Sequence, residues 1–334
     1  MTVPNHLTDF EAQLDSLRQD SEYSELPTID MSMYAEDTCF KDDLGDDKYY
    51  NDIFIEHRTD KSSGFRYIVD VAFLAHNFVL AIILYNLFSS GWGSVSFGML
   101  VIPAMAWLFL LLEVGGARTG GMRFNRQAQM VHVATIGGAY SIPWRSAKPF
   151  FNHGVHGGDL RLCFPKPNHL IRNDGVEERR EERNTKLPFY VHGTLDWRDV
   201  GFNGSLLRLE FYRRYMEKGL GAVQPDLSKV DKTEIHPPSQ TQQSHPEHGA
   251  VLHWIARPIR KLVWLFAGGP LIDRLVRSQA GKFKWPEKIE QLCTPGADLS
   301  GIDTTPVKPR KDIFYRPRGL DGIELVNANG QRIG

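Results

Sequence analysis

Apolar positions are spread unevenly along the 334-residue chain, and two uninterrupted runs, residues 67–88 and 95–114, stand apart from the rest. Only the uncharged loop 89–94 (Ser-Ser-Gly-Trp-Gly-Ser) separates them. A helix rises about 1.5 Å per residue, so a run of about 20 residues matches the roughly 30 Å hydrocarbon thickness of a bilayer. The pattern predicts a transmembrane helical hairpin over 65–114. The first run starts too late, and the loop is too short, for a cleaved secretory signal.

From Met122 the period changes to two. Residues 122–126, 130–135 and 140–144 alternate as short strands joined by tight turns, with further strands expected at 160–164 and 187–195. The charged interval 172–186 reads as an exposed connection with at most a helical turn. A helix follows, capped by Asn203 or Ser205. Leu206, Leu209, Tyr212, Met216 and Leu220 recur on one face at spacings of three and four, while Arg208, Arg214 and Lys218 lie elsewhere. The fold class is therefore an α+β membrane protein: a two-helix hairpin, then a small curled antiparallel sheet over 115–222 closed by one helix, with C-terminal helices beyond.

The flanks carry weaker patterns. Residues 1–64 are acidic and poor in periodic apolar positions, which predicts a largely disordered tail with one short helix over 7–17, Thr8 at its N-cap and Glu11 three residues on. Residues 223–249, rich in Pro, Ser, Gln and His, read as a linker. The stretch 250–294 predicts basic amphipathic helices. Three cations, Pro258 and the break at Gly268, Gly269 and Pro270 argue against a third span, leaving two helices packed on the sheet domain or lying in the membrane interface. A last helix starts at Pro286, and 295–334 reads as mostly extended.

Charge sets an orientation. Residues 1–66 hold 6 basic and 16 acidic side chains, residues 115–334 hold 33 and 22, and the loop between the runs holds neither Lys nor Arg. Arg58, Lys61 and Arg66 precede the hairpin and Arg118, Arg123 and Arg126 follow it, so the positive-inside tendency predicts cytoplasmic termini. Acidic tail and basic body can attract one another, and the body also faces anionic headgroups. Arg118, Arg123, Arg126 and Arg145 are the expected lipid- or partner-binding cations, joined by Trp254, Arg257, Arg260, Lys261 and Trp264.

No catalytic motif stands out, and no cofactor or nucleic acid is expected. Asp70, His76, Asn77 and Glu113 are polar groups within or at the ends of the spans; Asp70 and Glu113 read as interfacial pairing groups at similar depth. His76 is expected to bond across the hairpin, to mark an oligomer contact, or to stay a neutral buried imidazole. His153, His156 and Asp159 form a weak zinc-ligand set in a glycine-rich loop. The acidic run 42–47 lacks the ligand spacing of a calcium loop. The glycines of 115–121 read as a tether or, with Arg118, an anion nest. Cys39, Cys163 and Cys293 form no paired motif, which suits a reducing compartment.

The sequence Met122-Arg123-Phe124-Asn125-Arg126 at the opening of the meander, Ile142-Pro143-Trp144 in a later strand, Tyr215-Met216 in the helix and Trp285-Pro286-Glu287 carry a resemblance. Over residues 65–292 the chain resembles uncharacterised proteobacterial two-span membrane proteins with a pleckstrin-homology-like cytoplasmic domain, often encoded near type VI secretion genes. The resemblance implies an inner-membrane protein-binding role, as an immunity or accessory protein that captures a toxin or secretion-system component. Three alternatives come from the residues: lipid-headgroup recognition by Arg123, Arg126 and Arg145, a metal-dependent hydrolase at His153, His156 and Asp159, and homo-oligomer formation through the hairpin.

Overall fold

A computed structural model describes residues 5–34, 50–57, 64–91, 96–117, 121–135, 137–154, 157–165, 169–179, 189–191, 202–223, 257–280, 283–318 and 322–333. The chain divides into two units. A sheet unit is assembled from Met1–Arg58, Gly121–Gln242 and Trp285–Gly334, and a helical unit from Thr59–Gly120 and Gln243–Lys284.

The sheet unit holds α1 (Asn5–Gln19), β1 (Tyr23–Glu25), β2 (Phe54–His57), β3 (Met122–Asn125), β4 (Met130–Thr135) and β5 (Gly138–Pro143). After these come β6 (Lys148–Gly154), β7 (Gly157–Phe164), β8 (His169–Arg172), β9 (Glu177–Arg179), β10 (Phe189–Val191) and α4 (Phe202–Lys218). The helical unit contains α2 (Gly64–Ser90), α3 (Val101–Ala117), α5 (Arg257–Phe266) and α6 (Gly269–Ala280). The short helix α7 (Glu287–Leu292) and strands β11 (Phe314–Pro317) and β12 (Ile323–Val326) return to the sheet unit.

Every pair of strands among the described residues is antiparallel, apart from one isolated parallel bridge between Met33 and Tyr315. One sheet runs β1-β6-β7-β10, a second runs β2-β3-β4-β5-β8-β9, and β11-β12 form a hairpin. Alternation explains the core. Ile55, Phe124, Val131 and Ile142 are successive cross-strand partners, and all four are buried. α4 lies against β3 of one sheet and β6 and β7 of the other, its Tyr212 stacked on Phe124 at 4.1 Å between ring centres. Leu206, Leu209 and Met216 are buried as the spacing predicts. Arg208, assigned to the outer side, is buried as well, because α4 is covered on more than its apolar stripe.

Several expectations change or become more specific. The N-terminal segment is not a disordered tail among its described residues. α1 packs Phe10, Leu14 and Leu17 against Phe150 and Cys163, and Leu26, Ile29, Met33 and Ile55 enter the main core. Its apolar residues are sparse but pack on the sheets, and burying each one stabilises by about 1.5–3 kcal/mol. α1 also begins at Asn5, so Thr8 is not its cap. The C-terminal segment is pinned by Tyr315, which is fully buried and pairs with Met33. Finally, the interval 172–186 supplies an edge strand, β9, and α5 and α6 join α2 and α3 instead of the sheet.

Candidate functional site

Period-two strands give the six-stranded sheet a second face, and it carries polar side chains. Glu56, Arg123, His132 and Ser141 are successive cross-strand partners on β2 to β5. Such a row normally meets water. Here the segment leading into α7 covers it, so Glu56, Arg123, Asn125 and His132 are all buried. Arg123 donates to Glu56 at 2.6 Å and pairs with Glu290 of α7 at 3.2 Å, its guanidinium lying over the Phe54 ring at 4.2 Å and the Trp285 ring at 4.9 Å. Burial opposes the charge, but the two carboxylates outweigh it and raise the Arg123 pKa. Asn125 and Gln127 donate to the Leu292 carbonyl, and Gln127 also to that of Thr294, satisfying the open end of α7.

His132 sits inside this row. Burial and the neighbouring Arg123 charge push its pKa down to about 3, so the ring is neutral. Its Nδ1 lies 2.8 Å from Ser141 Oγ and its Nε2 3.4 Å from the Asn125 amide nitrogen, an arrangement that assigns the proton to Nδ1. A ring that is neutral, enclosed and paired on both nitrogens is built for packing, not proton transfer.

A second buried charge group lies on α4. Glu210 accepts from Arg213 at 2.9 Å, Arg214 at 2.6 Å and the Met33 backbone at 3.0 Å, and Arg213 donates to the Tyr315 hydroxyl. It ties the N-terminal segment and the final hairpin to the helix. The i,i+3 and i,i+4 spacing of Glu210 with Arg213 and Arg214 is visible in the sequence, but their burial and the contacts to Met33 and Tyr315 are not.

The helical unit has the opposite character. Val69, Phe73, Ala106, Leu110, Ala267 and Ile272 form its interior. Outward it shows Phe78, Tyr85, Phe88, Leu111 and Leu112 of α2 and α3 at 56–86 % exposure. Helices over Ile68–Ser90 and Gly98–Gly115 are long and apolar enough to cross a membrane. Exposed apolar surface of this extent is foreign to a water-facing protein.

The structure places the predicted residues as follows. Arg123 is an internal ion-pair group, which removes it from headgroup binding. Arg126 donates to the Asp52 carbonyl, and Arg145 pairs with Asp303 at 2.5 Å. Lys261 is exposed; Trp264 turns inward and donates to Asp273 at 3.0 Å. For Arg257 and Arg260 the structure describes the backbone of α5. Asp70 is buried, Glu113 half-buried, and Asn77 bonds His76 and donates to the Phe266 carbonyl at 2.8 Å. His76 thus bonds its own neighbour, while its ring packs near Phe73 and Trp107. His153 bonds Ser24 and packs on Phe151, and β6–β7 pairing sets Asp159 opposite Asn152, out of step with His153. No group of three metal-ligating side chains occurs among the described residues. Arg118, Trp254, His156, Cys39, the acidic run 42–47 and the linker stretch 224–249 lie outside the described residues.

No protein-family model, curated protein or solved structure matches the chain.

Proposed function

We propose that this chain is a membrane-anchored protein-binding module: a transmembrane hairpin of α2 and α3 holds a pleckstrin-homology-like sheet unit on the cytoplasmic face of a bacterial inner membrane. The observation that carries the anchor is the apolar exterior of α2 and α3. Sheet topology supports the hairpin. His57 at the end of β2 pairs with Met122 at the start of β3, so the chain on either side of the two helices is held together. A chain that leaves and re-enters one folded unit crosses a bilayer an even number of times. The Phe73–Trp107 contact at 5.6 Å also fits helices packed side by side. The pleckstrin-homology-like reading is supported by two antiparallel sheets with a helix, α4, following the last strand of the meander.

The partner class follows from the family resemblance: a toxin or a subunit of a type VI-like contact-dependent secretion system, with this chain as immunity or accessory protein. The short edge strands β1, β9 and β10 offer backbone groups to such a partner. Crosslinking in intact cells, carbonate washing of membranes, then detergent affinity purification with mass spectrometry test both parts. The expected result is a carbonate-resistant protein carrying one dominant secreted effector or secretion-system subunit. Release by carbonate overturns the anchor, and recovery without a specific partner overturns the binding role.

A further inference from the structure

The chain enters the helical unit twice, over Thr59–Gly120 and Gln243–Lys284, and both times returns to the sheet unit. The second visit therefore also makes an even number of crossings. Its helices α5 and α6 have 10 and 12 residues, about 15 and 18 Å at the helical rise, each near half of the hydrocarbon thickness. Neither can cross, yet both display apolar side chains outward: Ile259, Leu262 and Phe266 on α5 and Leu271 and Leu275 on α6 are 40–74 % exposed.

The attachment points give a depth. Asn77, whose side chain donates to the Phe266 carbonyl at the end of α5, lies nine residues beyond Ile68, the start of the apolar span. That is about 13 Å along α2, close to the bilayer midplane. Ala267 and Ile272, flanking the turn, pack in one cluster with Phe73 and Ala106. The turn itself is polar backbone with Gly268 in the left-handed region, tolerable in lipid only where protein covers it. Here Ala267 and Gly269 are buried, and Gly269 is so close to Trp264 that an added Cβ would fall 2.3 Å from the indole. Arg257 stands at the outer end of α5 and Arg277 in the last turns of α6, while Arg260, Lys261 and Arg274 lie mid-helix on side chains long enough to reach toward the headgroups.

We propose that α5 and α6 form a re-entrant hairpin that dips from the leaflet facing the sheet unit to about the midplane, its apolar face covered by lipid acyl chains and its basic ends at the headgroups. The proposal rests on α2 and α3 being spans. Lipid is the occupant because this face continues the exposed apolar exterior of α2 and α3, to which Asn77 and the shared cluster fix it.

Depth-resolved quenching tests it in the full-length protein. A fluorescent amino acid is placed singly at Ile259, Phe266, Leu271 or Phe78 in vesicles of phosphatidylethanolamine and phosphatidylglycerol. The vesicles contain lipids spin-labelled at a shallow or a deep acyl position. The expected deep-to-shallow quenching ratio is above one and equal at 266 and 78, and below one at 259. An Asn77→Ala change is expected to lower the ratio at 266 alone. Shallow quenching at 259, 266 and 271 alike would show helices lying flat and overturn the re-entrant geometry while leaving the spans intact. Quenching at 78 but none at 266 and 271 would mean that protein covers this face, which also overturns the proposal. No quenching at 78 would remove the spans themselves, and the proposal with them.

Discussion

Acidification between pH 7 and pH 5 is expected to destabilise the sheet unit through His132. The ring is fully buried and its pKa is pushed down to about 3, whereas in an unfolded chain it takes the ordinary value near 6.5. The sign follows from proton binding. Below pH 6.5 the unfolded chain binds a proton that the folded protein does not, so stability present above pH 6.5 is lost as pH falls toward 3. One proton corresponds to about 1.4 kcal/mol per pH unit, which gives a loss of about 2 kcal/mol between pH 7 and pH 5. Against a typical total of about 5–15 kcal/mol this is large. Burial supplies most of the shift, and Arg123 adds to it.

The assay is urea unfolding of the detergent-solubilised protein at pH 7, 6 and 5, read by tryptophan fluorescence. Trp285, whose ring centre lies 6.5 Å from that of His132, reports on the same structure. At a typical slope of about 2 kcal/mol per molar urea, the midpoint drops by about 1 M at pH 5. His132→Gln keeps an amide for Ser141 and Asn125 but does not titrate, so its midpoint is expected to fall less by that amount. The other histidines cancel in the comparison. Carboxylates that the fold depresses, such as Glu177 hydrogen-bonded to Lys288, titrate below this window. Parallel behaviour of the variant and the parent protein between pH 7 and pH 5 would refute the reasoning.

Further outcomes are expected. Arg123→Met leaves Glu56 buried without its cation and is expected to cost about 3–5 kcal/mol in urea unfolding, whereas Arg123→Met with Glu56→Leu recovers most of it. Gly138→Ala would bring a Cβ within 2.3 Å of the Ile171 carbonyl oxygen, so β5 and β8 must separate. Faster hydrogen exchange at Ala139 and Ile171 is the readout. Cys163 and Cys293 are buried, and burial raises their thiols to about 12 and about 11, so both are expected to resist iodoacetamide at pH 8 until denaturant is added.

Strands β3, β4 and β5 were legible because one face of each is apolar and the other polar, and α4 because its core residues recur at three and four. β6 was not legible. Phe150 packs under α1 while Phe151 enters the main core, so both faces are buried and alternation disappears. The polar row was legible as residues but not as a site. Arg123 read as a surface cation until α7, some 160 residues later, covers it, and no local pattern announces so distant a lid. In the N-terminal segment the helix was legible over 7–17, but acidic composition masked the packing of its Phe10, Leu14 and Leu17 on the sheet. The α5–α6 pair was visible as amphipathic, but only the Asn77 contact tells which neighbours it joins.

On the proposed topology, pairing of β2 with β3 across the helical insertion couples membrane crossing to sheet folding. If α3 is removed by deleting residues 98–115, α2 alone carries Met122 to the opposite side of the bilayer from His57, and the register Phe54 to Asn125 through His57 to Met122 cannot form. The polar row then loses Glu56, leaving Arg123 without its closest partner. If residues 58–121 are instead replaced by an Asn-Gly turn, His57 and Met122 are already partners and a two-residue hairpin closes them. The single-helix deletion is therefore expected to abolish cooperative unfolding and the His132 pH dependence, whereas the larger deletion keeps both, with detergent still required for the apolar face of α5 and α6. Tryptophan-detected urea unfolding at pH 7 and pH 5 separates the two variants. Retention of the pH-dependent transition after loss of α3 alone would mean that α2 and α3 do not cross as a pair, whatever their length and hydrophobicity.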